Sequence, residues 1–268
     1  MDRRSVLRAG AGAPAALAAA DRASAQPAGG GRTFVLVHGA WHGGWCWRDV
    51  AALLRAQGHT VFTPTQTGLG DRKHLLTRDV TLDVFVDDLV NMLEAEEVRD
   101  AELVGHSFGG SAISGAADRM PQAVRHLVYL DSLMIEPGQS PFGMLPPDVV
   151  AARRKLIAEQ GGGVSIPAPP PSAFGIPDGH PGEAWVARRL TPHPAGTYES
   201  PLRLKNPVVG NGKPCTYIHC TAPVYAALEP SRQWVKRQQG WTWQEIATGH
   251  DAMVTAPAEL TRMLLAIG

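Results

Sequence analysis

The chain has 268 residues, of which 44% are hydrophobic, and this is enough for one α/β domain with a sizeable core. Lys plus Arg and Asp plus Glu number 25 each, so the formal net charge is zero. This balance excludes nucleic acid and anionic membrane surfaces as expected partners, because both select basic proteins. We therefore expect a small-molecule substrate that is not strongly anionic.

The first 25 residues have the pattern of an export signal. Arg3 and Arg4 precede a short apolar stretch, and small residues at 23–25 resemble a cleavage site. We expect a twin-arginine-type signal over residues 1–25 and a periplasmic or secreted mature protein that begins near Gln26. The alternative is a disordered tail or one that results from a misassigned start site.

Strands and helices alternate along the rest of the chain. Continuous apolar runs such as 33–38 are typical of parallel strands that are buried on both faces. Alternation implies right-handed crossovers, so we expect an α/β fold with a doubly wound, mostly parallel sheet. The predicted strands are 33–38, 60–63, 101–104, 123–131, 214–220 and 241–246, and the predicted helices are 47–56, 81–97, 111–117, 231–238 and one beginning at 258.

The segment 135–207 differs in composition from its surroundings, because it holds 14 of the 22 prolines. Strands of the main sheet are unlikely there, although 148–159 and 183–190 favour short helices. We expect a cap inserted over the C-terminal edge of the sheet, within a single domain that spans 26–268.

Three cysteines, at 46, 215 and 220, lack the spacing of a metal site. Cys215 and Cys220 are predicted to lie on opposite faces of one strand, where they cannot bridge each other. We expect no disulfide, no metal and no cofactor.

The sequence Gly105-His106-Ser107-Phe108-Gly109 has the form Gly-x-Ser-x-Gly, after an apolar strand and before a run of small residues. This pattern predicts a serine nucleophile on a sharp strand-to-helix turn, because only small residues two positions away avoid clashes there. The alternative is a buried serine at an ordinary turn between a strand and a helix.

A serine nucleophile needs a histidine base, and in this kind of fold the base follows the last strand. His250 is the one histidine beyond the last predicted strand. His38 and His106 precede the nucleophile and are expected to shape the backbone or line the pocket. His180 and His193 lie in the cap, where we expect them on the surface.

Two carboxylates compete to orient His250. Asp131 lies at the C-terminal end of the strand that follows the nucleophile strand, where catalytic groups gather in parallel sheets. Glu229 follows the 214–220 strand and faces the same edge. Asp251 is adjacent to His250 in sequence and is not expected to turn back onto its ring. We favour Asp131, with Glu229 as the alternative acid.

Backbone N–H groups must also meet the charge of a tetrahedral intermediate. Phe108, directly after the nucleophile, is one expected donor. Ala40, in the glycine-rich loop 38–45, is the other.

Several side chains near these donors are expected to form the pocket. We expect Gly39, Trp41 and His106 to contact the substrate. Trp45 and Trp47 are expected either to extend an apolar wall or to belong to the core.

Over residues 32–268 the chain resembles α/β-hydrolases of the group that contains plant methyl-salicylate esterases and hydroxynitrile lyases. The motifs that carry this resemblance are 37–45, 105–110, 130–132 and 249–253. The resemblance implies that Ser107 and His250 are catalytic and that the Ala40 and Phe108 amides form the oxyanion hole. That group usually carries its acid after the penultimate strand, where residues 221–229 of this chain contain no Asp. This departure from the group's pattern strengthens the assignment of Asp131 as the acid.

These observations predict a serine hydrolase that cleaves a small apolar carboxylic ester through an acyl-enzyme. Amide, carbamate or carbon–carbon bond hydrolysis by the same residues remains an alternative. Related lyases resemble one another in a Thr and a Lys at the positions of Gly39 and Asp251, so cyanohydrin cleavage is disfavoured. A non-catalytic binding protein on this fold is a further alternative. The sequence does not indicate an oligomeric state.

Overall fold

The computed structural model describes residues 30–267, so the predicted export signal over 1–25 lies outside the described residues. From Gly31 onward the chain forms one compact unit. No helix within the described part of the chain combines the length and apolarity needed to span a bilayer.

Six of the eight strands within residues 30–267 form one sheet in the order β2-β1-β3-β4-β7-β8, and every neighbouring pair is parallel. The remaining two, β5 and β6, pair antiparallel outside this sheet. The predicted α/β fold with a parallel sheet is therefore confirmed. The strands are β1 (Thr33–Val37), β2 (Thr60–Phe62), β3 (Ala101–His106), β4 (Val124–Leu130), β5 (Ser165–Ile166), β6 (His193–Pro194), β7 (Cys215–Cys220) and β8 (Trp241–Ile246).

Helices cover both faces of the sheet, as the doubly wound prediction requires. The α-helices are α1 (Arg48–Ala56), α2 (Leu82–Ala95), α3 (Gly109–Arg119), α4 (Pro147–Glu159), α5 (Glu183–Ala187), α6 (Gly196–Glu199), α7 (Glu229–Lys236), α8 (Ala252–Thr255) and α9 (Pro257–Ala266). Side chains alternate across β1: Phe34 and Leu36 pack in the cluster that holds α1 and α9, whereas Val35 and Val37 pack with α2 and α3. The sheet is thus buried on both sides, which explains its continuous apolar strands.

The chain between β4 and β7 adds no strand to the main sheet, as the prolines of this segment predict. It forms α4, α5, α6 and a short antiparallel pair of strands, β5 and β6. The sequence pattern does not predict this pair. The predicted helix over 183–190 ends earlier, at Ala187.

The three cysteines are buried and free. Cys215 packs in the cluster with α2 and α3 and Cys220 in the cluster on the other face, so the prediction that they cannot bridge each other is confirmed. Burial raises the pKa of the Cys215 thiol to about 12 and raises the pKa of Cys46 and Cys220 well above the usual value. All three thiols are therefore protonated and unreactive near neutral pH.

Candidate active site

Ser107 lies on a tight turn between β3 and α3, with a φ of 51°. This left-handed conformation is strained for a residue with a side chain, and it occurs where a strand turns directly into a helix to expose a nucleophile. A Cβ on Gly105 would lie 2.8 Å from the Gly109 oxygen, and one on Gly109 would lie 2.7 Å from the His38 oxygen. Both glycines of the motif are therefore required by close backbone packing.

A chain of two hydrogen bonds joins Ser107, His250 and Asp131. The His250 Nε2 lies 2.9 Å from the Ser107 Oγ, and its Nδ1 lies 2.7 Å from the Asp131 Oδ2. A carboxylate only accepts, so Nδ1 carries the proton and Nε2 is left to accept the serine hydroxyl. His250 and Asp131 are 2% and 0% exposed, so the hydrogen bond between them is shielded from water.

Asp131 follows β4 directly and is itself held in the left-handed region, at a φ of 38°. Its backbone N–H donates to the Ile218 oxygen at 2.7 Å, which fixes the residue against β7. Its second carboxylate oxygen, Oδ1, accepts no hydrogen bond from residues 30–267, and Arg232 Nη1 lies 3.8 Å away. The guanidinium therefore balances part of the charge of Asp131 without competing for His250.

Glu229, the alternative acid, lies elsewhere. Its side chain is 54% exposed and accepts hydrogen bonds from Gln233 Nε2 at 2.6 Å and Arg232 Nε at 3.0 Å. These two bonds lower the pKa of Glu229, the Gln233 bond most. The structure thus brings Asp131, and not Glu229, to His250.

The loop 221–228, between β7 and Glu229, contacts His250 by a different route. The Tyr225 ring stacks on the His250 ring with centroids 4.3 Å apart and an interplanar angle of 15°. Leu228 and Tyr225 both line the cavity at Ser107. This loop contributes an apolar surface at the position where the hydrolase group that the sequence resembles usually carries its acid.

The glycine-rich loop after β1 is oriented by histidine rings. His38 Nε2 accepts from the Gln66 N–H at 3.0 Å, so its Nδ1–H donates to the Gly39 oxygen at 2.8 Å. Burial lowers the pKa of His38 to about 4, consistent with a neutral ring. Because a trans peptide holds its C=O and N–H on opposite sides, this bond turns the Ala40 N–H away from His38.

Both predicted oxyanion donors lack an acceptor in the structure. The Ala40 and Phe108 N–H groups make no hydrogen bond to any of residues 30–267. The next amide, of Trp41, is occupied, since it donates to His193 Nδ1 at 3.3 Å while Trp41 adopts a φ of 64°. The Trp41 amide is therefore bonded to His193, whereas the Ala40 amide is left available to another acceptor.

His193 corrects one expectation, because it is 0% exposed rather than on the surface. His193 lies on β6, and its ring packs against Phe108 and Tyr198 at centroid distances of 4.9 and 5.2 Å. Its Nε2–H donates to Thr197 Oγ1 at 2.8 Å, and burial lowers its pKa well below the usual value. His180, the other cap histidine, is partly buried.

His42 and Asp251 form a buried ion pair that the sequence analysis missed. His42 donates from Nε2 to Asp251 Oδ2 at 2.9 Å and from Nδ1 to the Ala40 oxygen at 2.7 Å. Burial opposes the charged ring, but the charge and hydrogen bond of Asp251 raise the pKa of His42 above its usual value. Asp251 therefore links the loop of His250 to the loop of Ala40, and, as expected, does not hold the His250 ring.

His106 and Gly39, two of the predicted substrate contacts, lie behind the nucleophile. The His106 ring is buried and its Nε2–H donates to the backbone oxygen of His250 at 3.0 Å. A Cβ on Gly39 would lie 2.8 Å from both His106 Nδ1 and Ser107 Cβ. His106 thus supports His250, and the missing side chain at Gly39 lets the loop approach Ser107.

The cavity at Ser107 is apolar and nearly closed. Trp41, Phe108 and Tyr198 contribute rings to its wall, and Arg153 of α4 contributes its one charged side chain. The volume open to the centre of a water molecule is only about 10 Å³, which is room for about one water molecule. In this conformation the cavity therefore has no room for a substrate-sized molecule.

Trp45 and Trp47 do not reach this cavity. Trp47 is fully buried in the cluster with α1, and Trp45 packs edge-on against Trp185 at 5.0 Å. Trp45 instead borders a larger surface cavity that contains none of the three hydrogen-bonded residues. Across residues 30–267, no group of three or more potential ligands could hold a metal ion.

Comparison with known proteins identifies relatives along nearly the whole described chain. The alpha/beta hydrolase family matches residues 34–263. A carbendazim hydrolyzing esterase of Nocardioides sp. (strain SG-4G) is 40% identical over 246 residues, which are 88% of this chain and 99% of that protein. A putative chloroplastic methylesterase 14 of Arabidopsis thaliana is 33% identical over 130 residues, 48% of this chain and 37% of that protein.

Solved structures share the fold. An extracellular alpha/beta-hydrolase from a Paenibacillus species has a TM-score of 0.76 at 24% identity and covers 88% of this chain and 99% of its own. A pyrethroid hydrolase from Sphingobium faniae JZ-2 has a TM-score of 0.70 at 24% identity, covering 88% of this chain and 97% of its own. The chain therefore belongs to the alpha/beta hydrolase family and is a carboxylic ester hydrolase.

Proposed function

We propose that the enzyme cleaves a small, largely apolar carboxylic ester through a covalent acyl intermediate on Ser107. The observation that carries this proposal is the hydrogen-bonded chain from the Ser107 Oγ through His250 to Asp131. A serine hydroxyl is a weak nucleophile at neutral pH, and a base so placed removes its proton as the oxygen attacks.

In the first half-reaction, the Ser107 Oγ attacks the ester carbonyl carbon while His250 Nε2 takes the hydroxyl proton. The carbonyl oxygen becomes an oxyanion, which the Ala40 and Phe108 N–H groups bind. Their lack of another acceptor among residues 30–267 supports this role. His250 then returns its proton to the departing alcohol, and the acyl group remains on Ser107.

In the second half-reaction, His250 accepts a proton from water, and the resulting hydroxide oxygen attacks the acyl carbon. Breaking the bond to Ser107 returns the proton to the Oγ and releases the carboxylic acid. Asp131 stays ionised throughout and stabilises the imidazolium that forms twice per cycle. The steps need no cofactor.

The preference for an apolar substrate rests on the cavity wall. The rings of Trp41, Phe108 and Tyr198 line the cavity at Ser107, together with the side chains of Leu133, Leu145 and Leu228. Such a surface favours apolar groups, because their transfer from water gains about 25 cal/mol per Å² buried.

An organophosphonate fluoride tests the mechanism, since it reacts only with an activated serine. We expect one adduct per chain by intact mass, mapped to Ser107, and a burst of one equivalent of 4-nitrophenol from 4-nitrophenyl butyrate. Ser107→Ala should neither label nor turn over. Ser111→Ala, which removes a buried hydroxyl without a hydrogen-bond partner in the described chain, is the matched control and should do both. Labelling of Ser107→Ala, or its unchanged turnover, would reject the proposal.

A further inference from the structure

Arg153 is a cation in an otherwise apolar cavity. It lies on α4 of the cap, half-buried, and lines the same space as Ser107. Its guanidinium carbon is 4.8 Å from the centroid of the Tyr198 ring and 5.3 Å from that of Trp41. Two aromatic faces therefore hold the guanidinium in place by cation–π attraction.

Neighbouring cations of the same helix have carboxylate partners. Arg154 pairs with Glu199 at 3.2 Å and Lys155 with Glu159 at 4.0 Å. Arg153 has no carboxylate within 4.0 Å in the range 30–267. Removing a charge from water without a partner costs free energy. Because Arg153 lines a cavity, a ligand that enters the cavity can supply the missing partner.

The charge of Arg153 acts inside the cavity. Burial raises the pKa of the Tyr198 hydroxyl to about 12, and the nearby Arg153 charge opposes this rise. The same charge contributes to the lowered pKa of His193, after burial and His38. These effects agree with the geometry, which places the guanidinium against two of the rings around Ser107.

We propose that Arg153 binds an oxygen acceptor on the acyl part of the ester, a carboxylate most strongly. This inference rests on the proposed function and narrows its substrate class to apolar acyl groups that carry one such oxygen away from the scissile bond. The acyl part is assigned because it stays in the enclosed cavity through both half-reactions, whereas the alcohol leaves after the first. The guanidinium fork suits two parallel hydrogen bonds to one carboxylate.

The test compares esters of equal size. 4-Nitrophenyl hydrogen succinate, glutarate and adipate each carry a terminal carboxylate, and their controls replace that group by an isopropyl group of similar shape. At the best of the three lengths, we expect the wild type to prefer the carboxylate ester by about tenfold or more in kcat/KM. The preference should lie mainly in KM, because this contact is remote from the reacting atoms.

Arg153→Met should remove that preference, measured as the ratio of kcat/KM for the carboxylate ester to kcat/KM for its isopropyl control, and Arg153→Lys should keep part of it. Arg154→Met is the matched control, since it removes the adjacent cation of α4 that pairs with Glu199, and it should leave the preference unchanged. An equal ratio in the wild type and in Arg153→Met would overturn the proposal.

A binding measurement separates this proposal from the catalytic one. Calorimetry with Ser107→Ala and monomethyl succinate, glutarate or adipate requires no turnover. We expect saturable binding of at least one, weakened about tenfold or more by adding Arg153→Met. Binding that does not depend on Arg153, or no binding at any length, would overturn the role of Arg153 even if Ser107 labels as expected. Failure of labelling with intact Arg153-dependent binding would reject the acyl-enzyme mechanism alone.

Discussion

Replacement of Asp131 by Asn tests which carboxylate orients His250. Asp131 Oδ2 accepts from His250 Nδ1 at 2.7 Å, while its Oδ1 faces Arg232 Nη1 at 3.8 Å. In the variant, Arg232 favours the amide oxygen on its side, which turns the amide NH₂ toward His250. The NH₂ then donates to Nδ1, and the ring proton moves to Nε2, where it blocks acceptance of the Ser107 hydroxyl.

The expected loss in kcat is about 10⁴-fold, equivalent to about 5 kcal/mol of transition-state stabilisation. Glu229→Gln should change kcat by less than about threefold, because an exposed carboxylate bonded to Arg232 and Gln233 contributes little. Each variant replaces one carboxylate near Arg232 by its amide, so the two form a matched pair.

Hydrolysis of 4-nitrophenyl butyrate, normalised to the protein concentration from absorbance, measures both variants. Trace wild-type enzyme must stay below about one part in 10⁵ for a loss of this size to be visible. Circular dichroism and thermal unfolding should show that both variants fold. A mild effect of Asp131→Asn together with a severe effect of Glu229→Gln would refute the assignment, and similar modest losses in both would show that neither acid acts alone.

Two further predictions concern stability and processing. The raised pKa of His42 means that its ion pair with Asp251 stabilises the fold fully below the unfolded pKa of about 6.5, and this contribution is lost as pH rises through the folded pKa. His42→Gln should lower the free energy of unfolding by about 3–5 kcal/mol because it leaves Asp251 buried and unpaired. In chemical-denaturation profiles, His42→Gln combined with Asp251→Asn should abolish the decrease in stability with rising pH. A decrease that persists in the double variant would assign it to other groups. Mass spectrometry of the exported protein should find a mature N-terminus near Gln26, and a functional exported protein that retains Met1 would contradict the predicted signal.

The alternation of apolar runs was sufficient to predict the sheet and its helices, because each element buries its own periodic face. The position of Asp131 was also predictable, since the ends of neighbouring parallel strands meet at one edge of the sheet. Helix ends such as Ala187 were less so, because the periodicity does not show where packing stops.

Contacts between distant segments were missed. His42 and Asp251 are 209 positions apart, and Trp41 and His193 are 152 apart. Neither pair has a local pattern, since each forms only when the cap and the closing loop have folded onto the sheet. Arg153 was missed for a related reason: a helix of mixed polarity does not show which of its cations faces inward.

The position of Asp131 directly after β4 has a consequence for how this enzyme can diverge. Loop 221–228 carries Tyr225 and Leu228 at the cavity but holds no carboxylate bonded to His250. Substitutions there can therefore change the cavity wall without removing a member of the hydrogen-bonded chain of Ser107, His250 and Asp131. An enzyme whose acid lies outside this loop can change its substrate preference through single substitutions in the loop. An enzyme whose acid lies in the loop must keep that acid in position through every such substitution.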